Sequence, residues 1–238
     1  MNDLASTPVL ILAGGKATRL GEVTKAIPKA LVPLAGRPLF SWSLLALQAS
    51  DAIDAIVMVG PVFPLQHLIA ASGLTSRKVV AFIDGGTARQ HSVGRGLAAV
   101  PAEHEFVAVH DCARALVSGD VIARAVAGAR AHGAAIAAVP LADTLKQVDD
   151  SRIVGTPPRA GLWCAQTPQV FRRDWLLEAH RAAAVGAVAT DDAALLEAQG
   201  HTVHVTLGDP LNLKITTPGD LALAAAVLAG READDAAR

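Results

Sequence analysis

Arg19 and Lys29 stand just beyond a run of small residues, Ala13-Gly14-Gly15-Lys16-Ala17, which itself follows the apolar Val9-Leu-Ile-Leu12. A loop with so little side-chain bulk lets backbone N–H groups close on an anion. Two cations delivered to the same place can answer charge that grows as a phosphoryl centre reacts. That set suits a nucleoside triphosphate. Neither common glycine fingerprint fits: Gly-x-Gly-x-x-Gly is absent, and Ala17 stands where a P-loop needs Ser or Thr. The plainer alternative is a strand, a tight turn and solvated cations.

Other constellations recur at the ends of apolar runs. Gly85-Gly86 leads toward a helix carrying Ser92, whose hydroxyl can bond nearby backbone or read a base edge. His110-Asp111-Cys112-Ala113-Arg114 sets a carboxylate and a guanidinium together, as a site or as a structural ion pair. Gln166-Thr167-Pro168-Gln169 and Thr190-Asp191-Asp192 read equally as a turn and a helix cap. Lys214 sits between Leu213 and Ile215, which is hard to explain as a solvated face.

The elements that must position these groups alternate. Strand-like runs fall at 9–12, 55–59, 79–83, 106–109, 134–139 and 202–205, with helix-period segments such as 38–49 and 120–132 between them. This predicts an α/β fold: a mostly parallel, twisted sheet with helices on both faces. Ligands in such sheets bind beyond the carboxyl ends of the strands, so 13–19, 84–86 and 110–114 are the segments to watch. Residues 141–162 break the rhythm. Two short extended pieces around Asp149-Asp150-Ser151 predict a protruding β-hairpin arm, with an ordinary surface loop as the alternative. A last helix should open at Thr217 with Pro218 and Asp220, and the polar stretch beyond Gly230 should fray. Residues 1–238 form one domain with 141–162 as its arm.

Composition narrows the class. Hydrophobic residues are 52% against 18% charged, so the chain can fill a core. A net charge of −1, 3% aromatics and no Tyr argue against holding a nucleic acid polymer. Cys112 and Cys164 are too few and too far apart for a zinc cluster or a disulfide framework. Buried free thiols and a reducing cytoplasm are the expectation. No signal-peptide pattern opens the sequence, and the apolar run at 221–229 is too short to cross a membrane.

Together the quoted pieces resemble the 2-C-methyl-D-erythritol 4-phosphate cytidylyltransferases of the non-mevalonate isoprenoid pathway, from Val9 to about Leu228. Ala13-Gly-Gly…Arg19, Pro28-Lys29, Gly85-Gly86…Ser92-Val93 and Val109-His-Asp-Cys-Ala-Arg114 carry the first half of the likeness. Asp143-Thr-Leu-Lys146, Arg159-Ala-Gly-Leu-Trp163, Gln166-Thr-Pro-Gln169, Thr190-Asp-Asp192 and Gly208-Asp209…Lys214-Ile-Thr-Thr217 carry the second. The resemblance implies a Rossmann-like nucleotidyltransferase fold and a reaction of CTP with the polyol phosphate to give the CDP-alcohol and pyrophosphate. It implies a homodimer that exchanges arms, and Mg²⁺ bound mainly through the CTP phosphates. Asp111 stands near that ion without being assigned as a ligand. By position, Arg19 and Lys29 would stabilise the reacting α-phosphate, while Lys214 and Arg159 would position the attacking phosphate, with Arg159 coming from the other subunit. Ala13, Gly14, Gly15, Gly86 and Ser92 would surround CTP. Asp111, Arg114, Thr144, Thr167 and Thr190 would line the alcohol-phosphate site.

The chain departs from the family pattern at Ala17, Ala30 and Ala115 and in a longer stretch between Arg19 and Pro28. Its first segment also resembles sugar-1-phosphate nucleotidylyltransferases. The rival readings are a cytidylyltransferase for another polyol phosphate, such as ribitol 5-phosphate, and a catalytically silent nucleotide-binding subunit. The four cations argue against the second. Because the attacking phosphate is already anionic, no general base is needed, and His91 and His110 read as structural.

Overall fold

The computed structural model of the protein describes residues 7–21, 27–74, 76–183 and 189–236. The longer stretch between Arg19 and Pro28 lies mostly outside them. A seven-stranded sheet is built around β1 (Thr7–Leu12), which is buried at every position and pairs in parallel with β4 (Ile53–Val59) and β6 (Phe106–Asp111). β5 (Val79–Ile83) extends the sheet beside β4, and β11 (His204–Leu207) extends it in parallel beside β7 (Ala134–Pro140). Between β6 and β7 lies β10 (Trp163–Arg172), antiparallel to both. The spatial order is β11-β7-β10-β6-β1-β4-β5.

β10 corrects the reading of Gln166–Gln169 as a turn. A proline inside a run argues against a central strand, because it cannot donate to the ladder. Here the register with β7 shifts between Ala165 and Gln169, and Pro168 sits in that irregularity behind a cis peptide bond. The remaining strand predictions hold within two residues, and 79–83 coincides with β5.

Alternation along the strands divides the core. Val9, Ile11, Ile56, Met58 and Ala108 point to one face, which is covered by α1 (Leu39–Ala49), α2 (Val62–Ala71) and α4 (Gly119–His132). Leu10, Leu12, Val57, Val59, Val107 and Val109 point to the other, under α3 (Arg89–Ala98), α5 (Arg173–Ala182) and α6 (Asp192–Ala198). Period-two burial of apolar side chains on both faces is what a helix-covered sheet requires. The boundaries of α4 are legible because both ends are capped locally. The Ser118 hydroxyl accepts from Val121 N–H at 3.4 Å, and Gly133 closes the helix at φ 88°.

Two smaller pieces complete the chain. β2 (Pro33–Leu34) and β3 (Arg37–Pro38) form a short antiparallel pair near α7 (Pro218–Ala236). Ala17, Leu39, Ile215 and Leu228 share a third apolar cluster there, so the methyl of Ala17 is buried. α7 opens as predicted. Thr216 and Thr217 N–H both donate to Asp220 Oδ2 at 2.8 Å, and Asp220 N–H returns to the Thr217 hydroxyl at 3.2 Å. The helix continues past Gly230 to Ala236, since one interior glycine costs only about 1 kcal/mol against Ala. β8 (Gln147–Asp149) and β9 (Arg152–Gly155) pair antiparallel about Asp150 and Ser151, both at positive φ, which is the predicted hairpin. No helix among the described residues is long and apolar enough to cross a membrane.

Candidate active site

β1 ends in the glycine loop, and hydrogen bonds set that loop's course. Ala13 N–H donates to Val59 O at 2.7 Å, Gly15 adopts φ 98°, and Lys29 N–H donates to Gly15 O at 3.1 Å. A bridge between Lys16 and Pro28 reinforces the last contact. Lys29, at the start of a single 3₁₀ turn (Lys29–Leu31), is thereby laid across the glycines. The result is a cleft of about 300 Å³ at the carboxyl end of the sheet, lined by Gly14, Gly15, Lys29, Gly86, Asp111 and Lys214 among others.

Each wall has a local cause. Ser92, in the first turn of α3, accepts from Gly86 N–H at 3.0 Å and donates to Ala88 O at 3.1 Å. Its hydroxyl pins the glycine turn, so the backbone-bonding reading holds, although Ser92 still lines the cleft. A Cβ on Gly86 would collide with that of His91, so only glycine fits there. Lys214 is carried in by two anchors. Ile215 N–H donates to Ala113 O at 2.8 Å, and buried Asn212 donates through Nδ2 to Thr167 O at 2.9 Å.

The electrostatics are those of an anion site. Lys214 Nζ lies 2.6 Å from Asp111 Oδ2, and Arg89 Nε lies 3.2 Å from Asp111 Oδ1. Burial alone would raise the Asp111 pKa, but these two cations hold the carboxyl well below its ordinary range. Burial lowers the pKa of the half-buried Lys29 ammonium, and the like charges of Lys214 and Arg19 push the same way. Burial also pushes the Cys112 thiol up to about 12, which leaves it a packing group rather than a nucleophile. Cys164 corrects the expectation of two buried thiols, for it is exposed on β10.

A second cavity of about 230 Å³ adjoins the first, and Arg89, Asp111 and Lys214 line both. Arg114, Thr167 and Thr190 line this second cavity. Arg114 is fixed by donating to Asn212 O at 2.7 Å and Ala165 O at 2.9 Å. Asp191 caps α6, its Oδ1 accepting from Ala194 N–H at 3.0 Å, which is the helix-cap reading of that patch.

Most of the candidate residues therefore converge. Gly14, Gly15, Lys29, Gly86, Ser92, Asp111 and Lys214 line the first cavity, while Arg114, Thr167 and Thr190 line the second. Ala13 is buried behind the loop, and Arg19 is exposed beside it. Thr144 and Arg159 are not brought to either cavity. They lie exposed at the base of the arm, where Arg159 Nη1 donates to Ala142 O. Sequence reasoning gave Arg89 no role, although a cation in the first turn of α3 opposes the helix dipole and so calls for a nearby anion.

Beneath Asp111 runs a neutral buried chain. The Thr167 hydroxyl accepts from Asp111 N–H at 3.1 Å and donates to His110 Nδ1 at 3.0 Å. His110 Nε2–H faces Ser43 Oγ at 3.3 Å, and Ser43 donates to Cys112 O at 3.2 Å. This assignment satisfies every group with an uncharged imidazole. Burial lowers the His110 pKa from 6.5 to about 4. The unfolded chain therefore binds the extra proton first as pH falls, so stability is lost from about pH 6.5 downward until the folded state also titrates near 4. A loss of about 3 kcal/mol over that window is expected. Urea unfolding at stepped pH should show a smaller acid slope in His110→Gln than in the parent. An unchanged slope would contradict the neutral buried ring.

The family model of 2-C-methyl-D-erythritol 4-phosphate cytidylyltransferase matches residues 7–230. The enzyme so named from Prochlorococcus marinus (strain MIT 9313) is 42% identical over 226 residues, covering 94% of this chain and 98% of that protein. The one from Thermosynechococcus vestitus is 43% identical over 227 residues, at 94% and 95% coverage. Among solved structures, the 2-C-methyl-D-erythritol 4-phosphate cytidylyltransferase of Thermus thermophilus superposes with a TM-score of 0.76 at 33% identity, covering 93% of this chain and 98% of its own. The 4-diphosphocytidyl-2C-methyl-D-erythritol synthase of Anaerococcus prevotii gives 0.81 at 26% identity, with 95% and 99% covered.

Proposed function

The chain belongs to the 2-C-methyl-D-erythritol 4-phosphate cytidylyltransferase family, and from that membership we propose how its two adjoining cavities carry out the family's reaction. The enzyme joins CTP and 2-C-methyl-D-erythritol 4-phosphate to give 4-diphosphocytidyl-2-C-methyl-D-erythritol and pyrophosphate. One observation carries the assignment of cavities to substrates: both open onto the same Arg89–Asp111–Lys214 wall, with half-buried Lys29 on the larger side. Two anionic substrates need such a junction, because the work is to hold them together and in line.

CTP occupies the larger cleft, its phosphates over Gly14 and Gly15. A phosphate oxygen of the polyol phosphate attacks the α-phosphorus of CTP. A new P–O bond forms there as the bond to the β-phosphate bridging oxygen breaks, and pyrophosphate leaves with that electron pair. Lys29 and Arg19 meet the charge that grows on the α-phosphate. Lys214 holds the attacking phosphate, assisted by Arg159 of the partner subunit. Arg114, Thr167 and Thr190 face the alcohol, joined by Thr144 from the partner's arm. Exposed Val148, Ile153 and Val154 on the arm support burial against a second copy of the chain in a homodimer.

Magnesium fits this site as a companion of the nucleotide. Among the described residues no three His, Cys, Asp or Glu side chains gather to hold a metal, and Asp111 is already engaged by two cations. Phosphate oxygens and water would supply the ligands, and the ion would neutralise triphosphate charge. A cytoplasmic location belongs to the same proposal and suits two unpaired cysteines.

Pyrophosphate release from each nucleoside triphosphate, paired with a panel of polyol phosphates, tests the reading. Methylerythritol phosphate should outrun ribitol 5-phosphate. CTP should outrun UTP by roughly 10² or more in kcat/KM, because a site that pairs with the cytosine amino group leaves polar groups unmet by a uracil carbonyl. Comparable constants for the two nucleotides would sink the base assignment.

A further inference from the structure

Arg89 joins two carboxylates that are far apart in the sequence. Its Nε lies 3.2 Å from Asp111 Oδ1, and its Nη1 lies 2.7 Å from Asp192 Oδ2. Asp192 is fully buried, and its other oxygen meets His180 Nε2 at 3.0 Å. The other oxygen of Asp111 meets Lys214 Nζ at 2.6 Å. A continuous row of charged and polar groups thus runs from α5 through α6 and α3 to the end of β6 and the loop before α7. Each Asp111 oxygen has its own cation, so the carboxylate can neither rotate nor choose between them. The far end is fixed in the core by Asp192. A guanidinium fork meets the two carboxylates with separate nitrogens held in one plane, whereas an ammonium would have to reach both from a single point.

We propose that Arg89 is a positioning residue for the second substrate: by tying Asp111 to buried Asp192, it fixes where Lys214 presents its ammonium to the polyol phosphate. This rests on the functional reading above. Arg89 also lines the nucleotide cleft, but because it acts through Asp111 and Lys214 its removal should weaken use of the polyol phosphate well beyond any loss of nucleotide affinity.

The test compares Arg89→Gln, Arg89→Lys, Lys214→Ala and the double variant Arg89→Gln/Lys214→Ala, with CTP affinity measured by calorimetry. Arg89→Gln should lower kcat/KM for the polyol phosphate roughly 10²-fold, the scale of a misplaced catalytic group. CTP affinity should fall by much less, roughly tenfold at most, since Arg89 shares the wall of that cleft. Arg89→Lys should not restore the parental rate, since one nitrogen replaces the two that meet Asp111 and Asp192 separately, and a loss of roughly tenfold or more is expected. The double variant should be little worse than Lys214→Ala alone, because both lesions remove the same interaction. Parental turnover in Arg89→Gln, an equal loss of CTP affinity, or independent multiplication of the two lesions would each overturn the proposal. If circular dichroism shows that Arg89→Gln does not fold, Arg89→Lys and its own double with Lys214→Ala carry the same comparison. A failure of the functional reading looks different: the parental chain itself would release no pyrophosphate from CTP and methylerythritol phosphate.

Discussion

Lys29→Ala should turn over roughly 10²–10³-fold more slowly than the parental enzyme, the scale seen when a preorganised donor to a developing oxyanion is removed. The loss should fall on kcat, because the ammonium is assigned to charge that exists mainly in the transition state. The structure gives the reason to expect so much from one side chain. Lys29 is half-buried with its pKa lowered by burial, and Lys214 and Arg19 add like charge from two sides. Among the described residues its ammonium has no hydrogen-bonding or ion-pairing partner. A cation in that position is unfavourable for the free protein and favourable once an anion arrives. Removing it should leave the thermal midpoint unchanged or slightly raised, since the burial penalty and like-charge repulsion that are lost outweigh its attraction to Asp111. Parental kcat in the purified variant would refute the role, and a lowered midpoint would show that the side chain serves the fold instead.

The sequence carries the framework of this site because the framework is local. Val9–Leu12 and its small-residue loop need only neighbouring residues to be understood, and the Thr217–Asp220 capping box closes within one turn of α7. What is not legible depends on distance along the chain. Arg89 is 22 residues from Asp111 and 103 from Asp192, and no periodicity connects them. Lys214 reaches Asp111 across 103 residues. β10 escapes sequence reasoning for another reason: its central proline and polar residues contradict strand propensity, and tertiary pairing with β6 and β7 overrides it. Thr167 shows both sides. The family resemblance implies that it contacts substrate, and it does line the second cavity, yet its hydroxyl is engaged by Asp111 N–H and His110. Its larger contribution is to hold the end of β6, on which Asp111 stands.

Arg159 and Thr144 sit apart from the cavities of their own chain, and their placement makes the arm testable. If the arm serves the partner subunit, each active site combines Lys29 from one chain with Arg159 from the other. Lys29→Ala and Arg159→Ala homodimers should then both be nearly inactive. Dissociating them, mixing equal amounts and allowing random re-pairing makes about half of the dimers mixed. In a mixed dimer one site collects both lesions, and the other is parental at both positions. About a quarter of all sites should therefore recover, a rise of roughly 10²-fold over either homodimer when each retains about one part in 10² to 10³. Were Arg159 to act within its own chain, every site in every dimer would keep one lesion, and mixing would restore nothing. Mass spectrometry of differently tagged subunits establishes that heterodimers form. Activity no higher than that of the separate variants, with heterodimers present, would exclude a site shared between two chains.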